Sequence, residues 1–279
     1  MFSNLQDDRT RIAENTEVVQ RIDPMFDALS LENPTRSDLL RLAAGTLAAV
    51  RIPAHLRDVD CKALVQALDS HEFDTYDERR IYPPVMKLGP AVFDYYLDDG
   101  IRDEYWEHAA ESRRTWKQLV GDHDPLDLLV GELRRIWGGS VEPATVDGRE
   151  LFVGMVRELT GGARMHFDEL MREFPGVLDQ QLVAQFGFNC YIAVPDDGGE
   201  LVVYRRRWKP SDEAHRVGYG WSESVAADEP RVEIKPGLGD SIWFDSRNFH
   251  AIKPNSEGRR LSLSFFCGVT TENKIVLWS

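Results

Sequence analysis

The chain has 279 residues, 42% of them hydrophobic, and its 33 basic and 47 acidic side chains give a formal net charge of −14. This is the composition of an ordinary globular protein, and its acidic surface disfavours nucleic acid as a partner. No apolar run reaches the roughly 20 residues of a membrane span, and MFSNLQDDRT lacks a secretory signal pattern, so we predict a cytoplasmic protein without a membrane partner.

The first half of the chain is predicted to be mainly helical. Asp58 or Asp60 is a plausible N-cap for one helix, and Gly121 can end another. Asp124 and Pro125 form a favourable N-cap and first-turn pair. The predicted elements are a helix from 36 that stops near Gly45, a short strand closed by Pro53, and helices over 58–71, 103–121 and 124–138.

The second half of the chain has the pattern of an all-β unit. Its short segments are rich in β-formers and separated by turn signals such as PDDGG, KPGLGD and KPNSEG. Such spacing predicts an antiparallel barrel or sandwich flanked by helices. We therefore interpret 140–279 as the barrel core and 1–139 as a mainly helical portion packed on its outside. Without a convincing linker, the chain is predicted to be one catalytic unit, 1–279. The predicted strand segments are ELFVGMVREL, FNCYIAVP, GELVVYRRRW, PRVEIKPG, DSIWFD, RRLSLSFFCGV and NKIVLW.

A histidine and an aspartate stand two positions apart in GGARMHFDEL (161–170), as His166 and Asp168. On a strand, residues i and i+2 project from one face, so both side chains can converge on a point inside a barrel. The preceding pair of glycines supplies the turn that starts the strand. In a chain with 47 acidic residues and seven histidines this spacing also arises by chance, and the alternative is a strand-edge histidine beside a solvated aspartate.

A second histidine, His250, follows the hydrophobic strand of GDSIWFDSRNFHAIKP, 84 residues beyond His166. Two histidines and one carboxylate form the facial triad of non-haem Fe(II) oxygenases, which leaves coordination positions open. A structural zinc site would need a fourth ligand, and no other Cys or His stands near these three in sequence. Cys61, Cys190 and Cys267 are far apart and odd in number, so they predict buried, reduced thiols.

Ten residues after His250, Arg260 begins the segment RLSLSFFCGV, with Ser262 on the same strand face. The rigid fork of arginine matches a carboxylate, so a buried Arg260 with a neighbouring hydroxyl would hold a dicarboxylic acid. The alternative is a surface arginine on an exposed strand. The alternation that follows Arg260 indicates that one face of this strand is interior.

These features together resemble the Fe(II)/2-oxoglutarate-dependent oxygenase superfamily, in which HxD, a distal His and an Arg followed by x-Ser occur in this order. GDSIWF is similar to the superfamily's strand before the last ligand. VPDDGGELVVYRRRWKP (194–210) and ENKIVLWS (272–279) resemble the freestanding aliphatic halogenases of cyanobacterial indole-alkaloid pathways and their hydroxylase relatives. The resemblance covers 150–279 and is only architectural in the helical half.

The resemblance implies an α+β fold, a double-stranded β-helix (jelly-roll, cupin-like) barrel with flanking N-terminal helices. It implies Fe(II) on His166, Asp168 and His250, 2-oxoglutarate held by Arg260 and Ser262, and O2 as the remaining cofactor. The halogenases carry glycine at the position of Asp168, and that vacancy accepts chloride. With the carboxylate present, the resemblance implies hydroxylation of a small amino-acid-derived or alkaloid-like natural product, with release of succinate and CO2.

Further residues are candidates for cofactor or substrate contacts. Asn189 and Tyr191 share one strand face and could reach 2-oxoglutarate, although Tyr191 could equally fill the core. Arg205 or Arg207 could bind a substrate carboxylate at the barrel mouth, or both could belong to a solvated edge strand. Trp221 could stack on an aromatic substrate.

Two segments are open to a functional and a structural interpretation. The aromatic and proline-rich stretch 82–96 would form one wall of the substrate pocket, or would only pack against the barrel. The stretch around His215 is predicted to be a long loop that could cover the site.

Alternative functions remain at this point. The same iron chemistry can end in desaturation, epoxidation or cyclisation. A protein or peptide hydroxylase would need an open groove, and a non-catalytic ligand-binding barrel would not need the complete triad. A cupin-type dioxygenase would usually offer three histidines and a glutamate.

Overall fold

The computed structural model describes residues 23–76, 81–97 and 100–279. The helices form mainly in the first half, as predicted, and two of them end at the predicted glycines Gly121 and Gly138. Within the described ranges the helices are α1 (Arg36–Ala43), α2 (Asp58–Leu68), α3 (Val92–Tyr95), α4 (Asp103–Val120), α5 (Pro125–Trp137) and α6 (Leu170–Glu173), with 3-10 helices at Pro210–His215 and Glu223–Ala226.

The strands occupy most of the second half and also occur in the first. In chain order they are β1 (Ala28–Ser30), β2 (Ala49–Ile52), β3 (Asp74–Thr75), β4 (Met86–Leu88), β5 (Tyr96–Leu97), β6 (Gly100–Ile101), β7 (Val141–Pro143), β8 (Thr145–Val146), β9 (Arg149–Glu150), β10 (Met155–Glu158), β11 (Ala163–His166), β12 (Leu182–Ala193), β13 (Leu201–Arg207), β14 (Arg216–Val217), β15 (Gly220–Trp221), β16 (Arg231–Ile234), β17 (Ser241–Phe244), β18 (Asn248–Ile252), β19 (Leu261–Thr270) and β20 (Ile275–Trp278).

Two sheets form the barrel. The major sheet has the order β1-β2-β17-β12-β19-β10-β4-β3, with β20 beside β19 and β7 beside β20. The minor sheet has the order β11-β18-β13-β16. Its non-consecutive neighbours mean that the chain crosses repeatedly between the two sheets. This is the jelly-roll arrangement, and the predicted α+β fold class is confirmed.

The space between the sheets is filled by apolar side chains from both. Tyr191 and Ile242 of the major sheet pack with Leu201, Val203 and Ile234 of the minor sheet in one buried cluster. Because side chains alternate along a strand, the neighbours of these residues point to the outer faces. Each sheet is therefore buried on both sides near the centre of the molecule.

The helices cover the outer face of the major sheet. Leu64 of α2, Trp116 of α4 and Leu133 of α5 belong to one large core cluster with Phe188 of β12 and Phe265 of β19. Burial of such side chains is the main favourable contribution to folding, at about 25 cal/mol per Å² of apolar surface. The helical layer thus supports the back of the two longest strands of the barrel.

The first half of the chain is more than an outer helical layer. β1, β2, β3 and β4 are strands of the major sheet, and β2 pairs with β17 in the register Trp243 to Val50. Only the strand at β2 was predicted from the sequence. The others are two or three residues long, too short for a periodic pattern to develop.

The predicted N-cap of α2 was wrong. The helix begins at Asp58, and Arg57 is the N-cap, without a side-chain hydrogen bond to the helix. Asp58 and Asp60 lie in the first turn, where negative charge is favourable near the unpaired N–H groups. Arg57 donates to the Asp60 carboxylate at 2.7 and 2.8 Å. In α5 the prediction holds, since Asp124 accepts from the backbone N–H of Leu126 at 2.8 Å.

The three cysteines are free and buried, as predicted. Burial raises the pKa of Cys190 to about 12, so this thiol stays protonated. Among the described residues, no helix combines the length and the apolar composition needed to cross a bilayer.

The neighbouring residues Leu128 and Leu129 of α5 provide a test of this packing. Leu129 is fully buried, whereas Leu128 is 51% exposed. We expect Leu129→Ala to lower the free energy of unfolding by about 2–5 kcal/mol, because it leaves a cavity in the core. Leu128→Ala should change it by less than about 0.5 kcal/mol. Urea denaturation measures both, and equal losses would contradict the described packing.

Candidate metal centre and active site

The two histidines of the predicted triad are cross-strand partners. In the antiparallel pairing of β11 with β18, His166 lies directly opposite His250. Opposite residues project from the same face of a sheet, so both imidazoles point into the barrel. Their ring centroids are 4.3 Å apart. The sheet register alone therefore brings together two residues that are 84 positions apart in sequence.

The turn before β11 requires glycine. Gly162 has a φ of +75°, and a Cβ there would lie 2.6 Å from the carbonyl oxygen of Ile252 on the neighbouring strand. Only glycine tolerates both the left-handed conformation and this close approach. The predicted role of the glycine pair in starting the strand agrees with this geometry.

Asp168 reaches the histidines in a different way from the one predicted. β11 ends at His166, so Asp168 lies beyond the strand. Its backbone N–H donates to the Ser246 carbonyl at 2.9 Å, and its own carbonyl accepts from the Ser246 hydroxyl at 3.0 Å. The Gln185 amide also donates to the Asp168 carbonyl, at 2.9 Å. The carboxylate is thus positioned by bonds to its backbone instead of by strand alternation.

The outward-facing nitrogens of both rings are already engaged. Nδ1 of His166 lies 2.7 Å from the Arg164 carbonyl, and Nδ1 of His250 lies 3.0 Å from the Asn248 carbonyl. A ring that donates from Nδ1 presents an unprotonated Nε2, the form that binds a metal ion.

The three potential ligand atoms converge. Oδ2 of Asp168 lies 3.8 Å from Nε2 of His166 and 3.4 Å from Nε2 of His250. The ligand atoms of the three residues all lie within 4.8 Å of one another, close enough to share one ion. Within 23–76, 81–97 and 100–279, this is the one cluster of His, Cys, Asp and Glu with such geometry. Two nitrogens and one oxygen form the donor set of the facial triad.

The electrostatics of the cluster also suit a cation. Burial and the nearby His250 lower the pKa of His166 to about 4, so the ring is neutral at pH 7. Burial disfavours the charged form of Asp168, but His166 and His250 outweigh it and lower the pKa of Asp168 to about 2. The group therefore offers the negative charge of Asp168 and the neutral ring of His166 to a cation.

Arg260 lies in the interior and is 1% exposed. It is therefore a buried arginine, as the first prediction has it, and not the surface arginine of the alternative. Its Nε donates to the Gly199 carbonyl at 3.0 Å, and its Nη2 donates to the Tyr191 hydroxyl at 3.3 Å. Its Nη1 is buried and has no hydrogen-bond partner among the described residues. A buried charged donor without a partner is costly, and such a group is suited to an anionic ligand.

Gly199 allows this arginine to lie against the backbone. Its φ is +74°, and a Cβ there would lie 3.2 Å from Cδ of Arg260. A side chain at this position would press on Arg260, whose Nε donates a hydrogen bond to the Gly199 carbonyl.

The other predicted cofactor residues share the same interior face of the major sheet. Tyr191 is paired with Ser262 and Asn189 with Ser264, so they project from that face together with Arg260. The Ser262 hydroxyl donates to Oδ1 of Asn189 at 3.4 Å. A row of one guanidinium, hydroxyls and an amide leads from Arg260 toward the histidines and fits a dicarboxylate such as 2-oxoglutarate.

A cavity of about 220 Å³ opens next to the cluster. His166, Asp168 and His250 border it, together with Asn189 from the cofactor row. Another part of the wall comes from the first half of the chain, with Tyr76, Val85, Val92 and Phe93 among its residues. The stretch 82–96 therefore forms part of the pocket wall, which was one of its two interpretations.

The chain matches the family described as carrier-protein-independent halogenase WelO5 over residues 28–279. The chain belongs to this family. It is 38% identical over 258 residues to the L-gamma-glutamyl-L-propargylglycine hydroxylase of Streptantibioticus cattleyicolor, which covers 91% of this chain and 96% of that protein. The resemblance to halogenases and hydroxylases of this branch is thereby confirmed.

Solved structures show the same fold. An N-substituted L-amino acid dioxygenase from Burkholderia ambifaria has a TM-score of 0.59 and 15% identity, with 88% of this chain and 92% of that chain covered. Its complex with alpha-KG has a TM-score of 0.54 and 15% identity, with 87% and 90% covered. The family match, the hydroxylase relative and the His-Asp-His cluster together identify this WelO5-family chain as a non-haem Fe(II)/2-oxoglutarate-dependent oxygenase with Fe(II), 2-oxoglutarate and O2 as cofactors, as the sequence resemblance implied.

The predicted substrate residues divide into two groups. Arg205 forms an ion pair with Asp23, and Arg207 donates to Asp245 at 2.8 Å. Neither arginine is among the residues that border the cavity of this WelO5-family protein, and their role as substrate contacts stays a prediction. Both arginines follow Tyr204 at the end of β13, where their side chains point outward and are exposed. Trp221 does border the cavity, with its ring 5.1 Å from that of Phe167.

Several residues with polar side chains at the site were missed in the sequence. Four of them share proximity to the triad but come from unrelated segments: Arg157, Glu173, Gln185 and Tyr219. Tyr219 lies on the loop after His215, and its ring is 5.7 Å from that of His166, so this loop does cover the site. Of these four, only Arg157 had a signal in the sequence, because it is an arginine within the short apolar segment MVRE.

Gln185 provides a test of how Asp168 is positioned. Gln185→Leu would leave the Asp168 carbonyl without one of its donors and would remove the bond to Leu170 N at 2.9 Å. We expect Fe(II) affinity to fall by about 10- to 100-fold, as for other residues that orient metal ligands. Equilibrium dialysis with Fe(II) under argon gives the affinity.

Gln180→Leu is the matched control. Gln180 also bonds through both ends of its amide, to the Thr145 backbone and hydroxyl, but lies away from the cavity. Its Fe(II) affinity should match that of the unmodified protein. Equal loss in both variants would assign the effect to general stability.

Proposed function

We propose that this protein hydroxylates an aliphatic C–H bond of a small amino-acid derivative. The observation that carries the proposal is the carboxylate of Asp168, whose Oδ2 lies 3.4 Å from His250. The resemblance implies glycine at this position in the halogenases, where the vacancy accepts chloride. Here the position is filled, and a relative with 38% identity is a hydroxylase of a gamma-glutamyl amino acid.

We infer that His166, Asp168 and His250 hold Fe(II). Their ligand atoms lie within 4.8 Å of one another, and both imidazoles are held in the metal-binding tautomer by backbone carbonyls. Three protein ligands leave room for the cosubstrate and O2.

We infer that 2-oxoglutarate lies between this triad and Arg260. The unpartnered Nη1 of Arg260 would donate to its distal carboxylate, with help from the Ser262 hydroxyl. The Tyr191 hydroxyl fixes the guanidinium by accepting from Nη2 at 3.3 Å. Asn189, which borders the cavity, would face the end of the cosubstrate nearer the metal.

When bound, the cofactors supply the oxidising power that converts C–H to C–OH, while one O2 and one 2-oxoglutarate become the hydroxyl oxygen, succinate and CO2. The protein supplies placement and exclusion of water. Phe93, Phe167 and Trp221 form apolar parts of the cavity wall and hold the substrate beside the triad.

We also infer that the chain works as one catalytic unit, because residues of both halves of the chain border the same cavity. The substrate is a small molecule, in keeping with a cavity of about 220 Å³. A role in natural-product biosynthesis and a cytoplasmic location stay predictions from the sequence.

The proposal is tested with purified protein, Fe(II) and 2-oxoglutarate. Without O2, the complex should show a weak visible charge-transfer band that His166→Ala lacks. With O2, gamma-glutamyl dipeptides or free amino acids with aliphatic side chains should stimulate succinate release and gain one oxygen atom. A product that has lost two hydrogens would indicate desaturation, and a chlorinated product would contradict hydroxylation.

Asp168→Gly separates the two chemistries of the family. Loss of the carboxylate removes the only charged ligand, so we expect hydroxylation to fall below detection. Mass spectrometry of products formed with and without chloride is the measurement. Full retention of hydroxylation would remove Asp168 from the metal.

Arg260→Met tests the cosubstrate site. Loss of a buried charge pair costs about 2–5 kcal/mol, so the Kd for 2-oxoglutarate should rise at least about 30-fold while Fe(II) content is kept. Titration of the charge-transfer band measures this. The neighbouring Arg259→Met is the control, since Arg259 pairs with Glu158 at 2.7 Å on the opposite face. Unchanged 2-oxoglutarate affinity in Arg260→Met would reject the assignment.

A further inference from the structure

The cavity contains a guanidinium that neither the metal nor the cosubstrate site uses. Arg157 lies on β10 and borders the cavity, half-buried. It is paired with Ser262 across β19 and so projects from the same interior face as the cosubstrate row. Its positive charge acts on the triad, since it helps to lower the pKa of Asp168, although less than the two histidines do.

The contacts of Arg157 leave its charge uncompensated. Its Nε points to Sδ of Met155 at 3.3 Å, a weak acceptor, and its guanidinium lies 5.6 Å from the Phe266 ring. The Tyr76 hydroxyl is a further hydrogen-bond partner. In the part of the chain that the structure describes, no carboxylate forms an ion pair with it. An arginine placed this way is suited to a carboxylate that arrives with a ligand.

The other cationic side chain at the cavity is differently placed. Arg216 is exposed, forms an ion pair with Glu213 at 3.4 Å and lies over the Trp221 ring at 4.9 Å. Its charge is thus already matched, and Arg157 is the better receptor for an anion.

The cavity also has an acidic group besides the metal ligand. Glu173, at the end of α6, borders it, and one of its oxygens accepts from the Glu169 backbone N–H at 3.1 Å. Its other oxygen has no hydrogen bond to the described residues. Desolvation and the nearby Asp168 raise the pKa of Glu173, and the charge of Arg216 offsets this only in part. An ammonium group beside the second oxygen would favour the charged carboxylate.

We propose that Arg157 and Glu173 recognise the two charged ends of a zwitterionic substrate, with Arg157 binding a carboxylate and Glu173 an ammonium group. This names the substrate class for the proposed function and rests on it. Both groups border the same cavity as Asp168. A substrate that is bound at both charged ends therefore has its carbon chain close to the metal ligands.

The test is a binding comparison that needs no turnover. Calorimetric titration is carried out without O2 on protein loaded with Fe(II) and 2-oxoglutarate. The probe is L-γ-glutamyl-L-norvaline, together with its N-acetyl derivative and its two methyl esters, one at each carboxylate. A hydrogen bond to a charged group is worth about 10- to 100-fold in affinity, so the N-acetyl probe and one of the esters should bind that much more weakly.

Variants of the protein assign each effect to one residue. In Arg157→Gln the free dipeptide should bind about 10- to 100-fold more weakly, and the ester should bring no further loss, while the N-acetyl penalty remains. In Glu173→Gln the N-acetyl penalty should disappear and the ester penalty remain. Arg157→Lys, which keeps the charge, should recover part of the affinity.

The same titration is carried out on two control variants, and it also shows which results would overturn the proposal. Arg114→Gln and Glu111→Gln change an exposed ion pair on α4 and should bind all four probes as the unmodified protein does. Wild-type protein that binds the blocked probes as tightly as the free dipeptide, or binds none of them, overturns the proposal. So does an ester penalty that persists in Arg157→Gln. The charge-transfer band and succinate release report separately on the proposed function.

Discussion

The antiparallel pairing of β11 with β18, with His166 opposite His250, is the constraint on which the chemistry of this protein depends. A slip of β11 by one residue against β18 would turn the His166 imidazole to the other face of the sheet, away from His250. The bonds between Asp168 and Ser246 then bring the carboxylate to the same point, although the strand has already ended. The strand register and the hydrogen bonds between Asp168 and Ser246 therefore bring the three potential ligands of the metal site together.

The two sheets have different tasks at this site. The minor sheet carries the histidines, whereas the major sheet carries Arg260 and the polar row that suits 2-oxoglutarate. The helices on the outer face of the major sheet bury Phe188 and Phe265, the apolar neighbours of that row. Helix packing thus stiffens the strands that place the cosubstrate, in agreement with the need of catalytic groups for rigid support.

The sequence predicted the site better where one strand supplies several residues. The triad, Arg260 and Ser262 were found from their spacing together with the family resemblance, and the helices followed from apolar periodicity. Strand alternation held for Arg260 and Ser262 but not for Asp168, which lies beyond the end of β11. Gln185 and Arg157 could not be found, because their roles arise from contacts between segments far apart in the chain. Arg205 and Arg207 are exposed at the end of β13 and are not among the residues that border the cavity, so the cavity lining does not support their predicted substrate contacts.

Part of the cavity wall, including Tyr76, Val85, Val92 and Phe93, comes from a part of the chain that holds none of the triad or cosubstrate residues. This part of the wall can therefore change without a change in the residues that would hold the metal and the cosubstrate. Evolution can reshape the wall one substitution at a time and give the enzyme a new substrate, while the oxidising machinery is inherited without change.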